Sequence, residues 1–303
     1  MALPINLLGI LVRTFVSAVA VLIGLVLAAA AVPAMWVDRN IVQEEGFVAF
    51  TAPLGKDPVF QQRLAAAAVG SLGAERIPEA LSGLVTPILE SAARSLTSMP
   101  GYPDAWTETL RKSHRLNFAD PQTLPAGAQS VSSVTLDLAP LVALVTKQVA
   151  EVTTLPLEAP DQLLITIGQP EHRQILDRVS AFAPMGYALA IGALIAFALA
   201  FVAARQRGTV VAGIGLGTLV LAGVWKLAAD AVGGAVTRTS SGNEVAEIFK
   251  SEFVAAASSS FGQWILAAAA AGGVLLAVGL VLRAVGGRRT PQPQPQQVPS
   301  QHR

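Results

Sequence analysis

The chain contains no cysteine, and its most apolar stretches contain no acidic residue and no histidine. The first absence excludes disulfide bonds, a thiolate nucleophile and any zinc or iron–sulfur site that needs cysteine ligands. Ion-coupled carriers and pumps generally carry ionisable residues inside the membrane, so the second absence argues against a proton- or sodium-coupled transporter, although not against a passive pore. The apolar stretches are Thr14–Val37, Val179–Ala204, Gly208–Trp225 and Phe253–Leu282.

Each stretch has about the length of a membrane span, because a helix needs about 20 residues to cross ~30 Å of hydrocarbon. When the intervening segments are assigned alternately to two sides, one side holds seven arginines and no acidic residue. The other side holds all 20 acidic residues and the remaining 14 basic residues. Since Lys and Arg are retained in the cytoplasm during insertion, the sequence predicts a multi-pass plasma-membrane protein with both termini cytoplasmic.

The pattern predicts one large domain between the first two spans. The first stretch is too long for the 7–15-residue apolar region of a signal peptide, so we expect a retained anchor. The predicted boundaries are 1–37 for the N-terminus and first span, 38–178 for an extracytoplasmic domain, 179–204 and 208–229 for the second and third spans, 230–260 for an outer loop with an amphipathic helix, 261–283 for the fourth span, and 284–303 for a disordered cytoplasmic tail.

The extracytoplasmic domain reads as short helices separated by prolines. Asp57-Pro58 is an N-cap followed by proline at the first helical position, which predicts a helix from that point. Further helices are expected from Pro78, from Pro103 through Phe118, and over Glu171–Phe182, the last running directly into the second span. The domain carries 16 acidic and 11 basic residues, a net charge of −5, which argues against nucleic acid as a partner.

Two segments of this domain have the composition of strands. Ser130–Leu138 and Asp161–Ile167 are rich in β-branched and apolar residues. Pro140–Val152 lies between them and fits a helix, so parallel pairing through a right-handed crossover is the default arrangement. The predicted fold class is an α-helical membrane protein with four spans and a mainly helical α+β extracytoplasmic domain containing a small sheet.

The outer loop contains one amphipathic segment. Asn243 is a candidate cap for a helix whose apolar residues share one face. The polar face lacks basic residues, so docking beneath the extracytoplasmic domain is favoured over binding to the lipid surface. The residues of the apolar face are Val245, Ile248, Phe249, Phe253 and Ala256.

Small residues at helical spacing mark candidate packing faces in the spans. Gly213 and Gly217 form a GxxxG step in the third span, and Gly192 belongs to a four-residue repeat of small residues in the second. Such spacing lets helices approach closely in lipid. Packing within the chain's own bundle is favoured over a dimer interface.

One helical stripe outside the membrane carries the candidate site residues. Trp106, Leu110 and His114 stand at i, i+4 and i+8 and therefore share a face. The stripe is either the core edge of the domain, which we favour, or an interaction or catalytic surface in which His114 is a general base. The domain has only His114 and His172 and no metal-binding motif, so no catalytic residue, metal or cofactor is predicted.

Three stretches carry a resemblance to a known group. They are Trp36–Leu64 with its Pro53-Leu54 and Asp57-Pro58-Val59 steps, the helix from Trp106 to Ser113-His114-Arg115, and Leu136–Val142 (LDLAPLV). The chain resembles actinobacterial four-span integral membrane proteins of unassigned function. The resemblance implies a shared architecture and an envelope location, but no activity and no catalytic residue.

Two functional hypotheses follow. The first is a non-enzymatic envelope protein whose outer domain binds a partner or ligand, with the lipid bilayer, an envelope protein or a second copy as partners. The second is an enzyme or transport accessory acting on lipid or cell-wall material at the outer leaflet. A deep polar cleft with converging carboxylates at His114 would favour the second hypothesis, and an apolar surface there would favour the first.

Overall fold

Four helices of this chain are long and apolar enough to cross a membrane. The structure is a computed structural model that describes residues 5–64, 91, 95–119, 134–153, 159–166, 170–240 and 244–286. Within these residues the chain is mainly helical and has one two-stranded sheet. The predicted fold class is therefore confirmed in part: the described residues are mainly helical and contain four helices long and apolar enough to cross a membrane and a small sheet.

The described helices of eight or more residues include the four candidate spans, which are the first and the last three. In chain order they are α1 (Ile5–Val37), α2 (Glu44–Thr51), α3 (Tyr102–Phe118), α4 (Ala139–Thr153), α5 (Pro170–Phe182), α6 (Met185–Ala203), α7 (Arg207–Arg238) and α8 (Glu244–Gly286), with strands β1 (Thr135–Asp137) and β2 (Leu164–Thr166).

The last two helices extend well past the predicted spans. α7 continues to Arg238, and the predicted outer-loop helix and fourth span form one 43-residue helix, α8. The predicted boundaries of the outer loop, at 229, 260 and 261, follow changes in hydrophobicity along the sequence. A helix does not end there, because backbone hydrogen bonding continues through polar residues when no strong breaker intervenes.

The helix α6 is shorter than the predicted second span. α5 covers the expected helix but ends at Phe182, and a turn at Ala183-Pro184 precedes the first residue of α6, Met185. Proline lacks an N–H group and clashes with the preceding turn, so it interrupts the helix that the sequence predicted to run straight into the span.

The two strands pair in the direction opposite to the expected one. β1 and β2 are antiparallel, with Leu136 opposite Ile165. The Leu138 N–H donates to the Leu163 carbonyl at 2.9 Å, and the Leu163 N–H donates to the Asp137 carboxylate at 3.0 Å. These bonds hold the chain that leads into β2 at the end of β1, so β2 runs antiparallel to β1. The crossover rule for parallel strands does not apply to this pair.

The N-cap predicted at Asp57 is present. Its carboxylate accepts the N–H groups of Val59 at 2.9 Å and Phe60 at 3.1 Å, and residues 58–64 are helical. The predicted helix from Pro78 and residues 287–303 of the predicted tail lie outside the described residues.

The chain divides into two compact units. The first comprises Met1–Val26, Gly192–Ala222 and Leu266–Arg303, and the second comprises Leu27–Ile191 and Gly223–Ile265. The second unit therefore contains all of residues 38–178, which we call the interspan domain.

The core of the second unit includes the N-terminal part of α8. Val245, Ile248 and Phe249 are buried there, and Phe253 and Ala256 pack against the same cluster. This is the complete apolar face that the sequence predicted for the outer-loop helix. Its docking against the interspan domain is confirmed, because that core also contains residues of α3 and β1.

Candidate functional site

The predicted stripe of α3 is almost completely buried. Trp106 is 2% exposed, Leu110 is 0% exposed and His114 is 6% exposed. Trp106 and Leu110 belong to the hydrophobic core of the second unit. The structure thus places all three residues on the inward face of the helix.

The Trp106 indole packs against the backbone of Gly55, at a distance that a residue with a Cβ would not allow. A Cβ on Gly55 would lie 2.7 Å from the Trp106 indole nitrogen, and the Phe60 ring meets the indole edge-on at 6.1 Å between centroids. The Tyr102 hydroxyl donates to the Gly55 carbonyl at 2.8 Å, and burial raises the pKa of Tyr102. Trp106 therefore joins the start of the domain to α3 through packing.

His114 lies between two aromatic rings and a backbone carbonyl. Its ring stacks on Phe118 at 4.5 Å and meets Phe47 at 5.2 Å. Its Nε2 lies 3.1 Å from the carbonyl oxygen of Ile41, in the π-helical segment Asp38–Val42 that follows α1. Burial lowers the pKa of His114 although the carbonyls of Ile41 and Val42 raise it, so the ring is neutral near pH 7 and Nε2–H donates to Ile41.

Glu44, a carboxylate whose charge raises the pKa of His114, belongs to an exposed ion pair. Both Glu44 oxygens accept hydrogen bonds from Arg115, at 3.0 and 3.1 Å. Arg115 lowers the pKa of Glu44, chiefly through this hydrogen bond. A general base is usually oriented by a carboxylate on its second nitrogen, whereas the hydrogen bond described here for His114 goes to a backbone carbonyl.

A buried polar clamp beside His114 was not predicted from the sequence. The Ser113 hydroxyl accepts the Asp137 N–H at 2.9 Å, and Asn117 exchanges two hydrogen bonds with the Thr135 backbone at 2.7 and 2.9 Å. The Asp137 carboxylate also accepts the Ala139 N–H at 2.9 Å, which caps α4. The available signals were polar residues four apart on α3 and an Asp shortly before Ala-Pro at a helix start.

Near His114 the second unit contains a cavity of about 190 Å³. We call it the His114 cavity. No acidic residue is among its described lining residues, most of which are apolar. Its polar lining consists of His114, Ser113, Asn117, Thr135 and Lys250. The Lys250 ammonium donates to the Thr239 carbonyl and pairs with Glu247 at 2.7 Å.

A larger apolar cleft of about 400 Å³ lies between α1, α7 and α8 in the same unit. It shares Val236, Phe253 and Val254 with the His114 cavity. Two tryptophans line it, and each indole N–H is already used: Trp36 donates to Ser260 at 3.1 Å and Trp225 donates to the Ala29 carbonyl at 3.0 Å. The cleft can therefore satisfy an apolar ligand but offers few polar partners.

The glycines predicted to pack helices have different environments. Gly192 is half-buried on α6, and a Cβ on Gly217 would lie 2.8 Å from the Leu25 side chain. A Cβ on Gly213 would meet nothing within 4 Å, so its packing role stays a prediction. The GxxxG spacing places both glycines near one face, but it does not specify where a neighbouring helix approaches.

A close backbone contact joins α7 to α8 in the first unit. A Cβ on Gly279 would lie 2.7 Å from the Gly208 carbonyl oxygen, and one on Gly215 would lie 2.6 Å from the Gly272 carbonyl oxygen. Gly208 and Gly215 are seven residues apart on α7, and Gly272 and Gly279 are seven residues apart on α8. The order of the contacts shows that the two helices run antiparallel here. We call it the glycine seam. It belongs to structural packing and not to a site.

Within the described residues, no group of three His, Asp or Glu side chains is arranged to hold a metal ion. No protein-family model matches the chain, and no curated protein or solved structure matches it either. The resemblance to actinobacterial four-span proteins accordingly stays a prediction.

Proposed function

We propose that this chain is a non-enzymatic membrane protein of the cell envelope, whose interspan domain is extracytoplasmic and whose apolar cleft between α1, α7 and α8 binds the acyl chain of an outer-leaflet lipid. The observation that carries the proposal is the apolar cleft lined by Trp36 and Trp225. The charge distribution supports the orientation, since one side of the predicted topology holds seven arginines and no acidic residue.

The position of the cleft along the helices suits a lipid. Tryptophan is enriched at the boundary between hydrocarbon and water, and Trp36 and Trp225 occupy that place in their spans. Lys226 pairs with Asp230 at 2.6 Å one turn further along α7. The remainder of α7, from Lys226 to Arg238, adds about 18 Å at 1.5 Å per residue. The cleft begins at the interface, where a lipid chain can enter without crossing water.

The surroundings of His114 support binding over catalysis. Burial favours the neutral ring, its hydrogen bond is made to a backbone carbonyl, and the described lining of its cavity has no carboxylate. The second hypothesis from the sequence, an enzyme or transport accessory at the outer leaflet, also has a lipid as its ligand. The acid–base pair that a hydrolytic enzyme needs has no counterpart among the described residues that line this cavity.

Fluorescence quenching of the full chain in detergent tests the proposal. Bromine atoms on an acyl chain quench tryptophan on contact, so dibromostearic acid should quench Trp36 and Trp225 saturably. Gly233→Leu should reduce this quenching, because Gly233 lines the cleft and its added side chain points toward Val254 and Ser258. Gly234→Leu is the matched control, since the adjacent Gly234 does not line the cleft.

Equal saturable quenching of the wild type and both variants would contradict the assigned cleft. Quenching that rises linearly with probe concentration would also contradict it, because it indicates partition into detergent and not binding. Hydrolysis of an added phospholipid by the purified chain, lost in His114→Gln, would instead support the enzymatic hypothesis.

A further inference from the structure

In the first unit, α1 and α7 run parallel. They are in contact over only part of their length. Leu25 packs on Gly217, where a Cβ would lie 2.8 Å from the leucine Cδ2 and closer still to its Cδ1. One turn closer to both N-termini, a Cβ on Gly213 would meet nothing within 4 Å. The two helices thus diverge toward their N-terminal ends and leave a wedge-shaped space.

This space is a cavity of about 690 Å³, which lies within the range of small-ligand sites, about 300–1,000 Å³. We call it the wedge cavity. Its lining residues follow the same spacing on α1, from Thr14 to Val21, and on the segment from Gln206, just before α7, to Gly213. One stripe of α1 therefore faces one stripe of α7.

The lining changes from polar to apolar along the cavity. At the N-terminal end it consists of hydroxyl and amide groups, whereas one to two turns deeper it is apolar, with Val21 and Val210. Ser17, near the polar end, is 3% exposed and donates to the Ala200 carbonyl at 2.8 Å, which also ties α1 to α6. A ligand that fills this space must have a polar head and an apolar chain.

The charge at the polar end is positive. Arg205 lines the cavity in the short connection between α6 and α7, and no ion pair joins it to an acidic residue in the described parts of the chain. The sequence segments on this side of the predicted topology contain no Asp or Glu at all. The head group that fits is therefore an anion.

We infer that the wedge cavity binds one anionic phospholipid, with its phosphate at Arg205 and an acyl chain along Val21 and Gly213. Basic pockets between membrane helices on the cytoplasmic side are suited to such head groups. With both termini cytoplasmic, the lipid comes from the inner leaflet. This site is independent of the apolar cleft in the second unit and of any ligand bound there.

Native mass spectrometry of the full chain in detergent tests the inference. Phosphatidylglycerol and phosphatidylcholine with identical acyl chains are titrated separately, and the fraction of lipid-bound protein is measured. We expect tighter binding of phosphatidylglycerol, and Arg205→Gln should weaken it about fivefold, the effect of one basic residue near a lipid head group. Arg207→Gln is the charge-matched control, because Arg207 does not line the cavity.

A second pair of variants tests the apolar end. Gly213→Leu fills the wedge cavity and should weaken binding of phosphatidylglycerol. Gly223→Leu adds the same bulk to α7 at a position that is also free of neighbours but lies outside the cavity, so it should bind as the wild type does. Circular dichroism and gel filtration confirm that each variant is folded before binding is compared.

Three results would overturn the inference. The first is equal binding of the two lipids by the wild-type chain. The second is the same loss of binding in Arg205→Gln and Arg207→Gln, which indicates general surface charge. The third is full competition by soluble glycerol phosphate together with unchanged binding by Gly213→Leu, which indicates an anion site without an acyl-chain site.

Discussion

The glycine seam leads to a prediction in which one substitution has opposite effects at two positions of adjoining helices. In Gly279→Ala, the new Cβ would lie 2.7 Å from both the Gly208 carbonyl oxygen and the Ala212 Cα. Ordinary contact begins near 3.4 Å and the Ala212 nitrogen lies closer still, so α7 and α8 must part by at least 0.7 Å at this point. A gap of 0.5–1 Å already removes about a quarter to a half of a van der Waals contact along the seam.

The size of the effect follows from two opposing contributions. Overpacking of this kind typically costs about 1–3 kcal/mol, whereas alanine in place of a helical glycine returns about 0.5–1 kcal/mol. We expect Gly279→Ala to destabilise the protein by about 1–2 kcal/mol. Gly213→Ala meets nothing within 4 Å, so it should be stabilising by about 0.5–1 kcal/mol.

The measurement is equilibrium unfolding of the full chain in mixed micelles with increasing SDS, followed by helical circular dichroism. Gly215→Ala provides a second seam variant, since its Cβ would lie 2.6 Å from the Gly272 carbonyl oxygen. A result in which Gly213→Ala is the most destabilising of the three variants would refute the reasoning. It would restore the GxxxG face as the packing surface of the third span.

Three further predictions concern the interspan domain and the orientation of the chain. Trp106→Ala should destabilise the protein by about 3–5 kcal/mol, the cost of truncating a buried Trp, whereas His114→Gln should be mild in thermal unfolding and leave cell growth unchanged. Burial lowers the folded-state pKa of His114 below its unfolded value, which is near 6.5. As the pH falls, the unfolded chain therefore binds the proton first. The stability of the folded state should fall as the pH drops below about 6.5. His114→Gln should reduce this fall in melting scans between pH 7 and pH 5, and an unchanged slope would refute the assignment. In intact cells Ser240→Cys should react with a membrane-impermeant thiol reagent and Thr290→Cys should not, and labelling at position 290 would contradict the proposed orientation.

Periodicity alone located the helical faces of this protein well. The 3.6-residue repeat predicted both the stripe of α3 that ends at His114 and the apolar face of α8 from Val245 to Ala256. These predictions succeed because a buried face must be apolar wherever its partner comes from. The Asp57 cap was equally readable, since capping depends on residues that are neighbours in the chain.

The pairing of faces was not predictable in the same way. Sequence spacing indicated Gly213 and Gly217 as a packing face, yet a close backbone approach joins Gly208 to Gly279, 71 residues apart, and Gly215 to Gly272, 57 residues apart. The reversed direction of β2 depends on the carboxylate of Asp137, which binds Leu163 across the returning chain. Both features are set by contacts between distant segments, which a single sequence does not reveal.

The apolar cleft and the core of the interspan domain meet at one side chain. Phe253 lines both the cleft and the His114 cavity, and its ring contacts Phe47 at 6.3 Å and Phe249 at 5.9 Å between centroids. Phe47 in turn contacts His114, whose hydrogen bond holds the π-helical segment after α1. A ligand in the cleft therefore touches a continuous row of aromatic rings that ends at the junction between the first span and the domain. The proposed lipid in the cleft would therefore be linked to the packing of the interspan domain through Phe253 and Phe47.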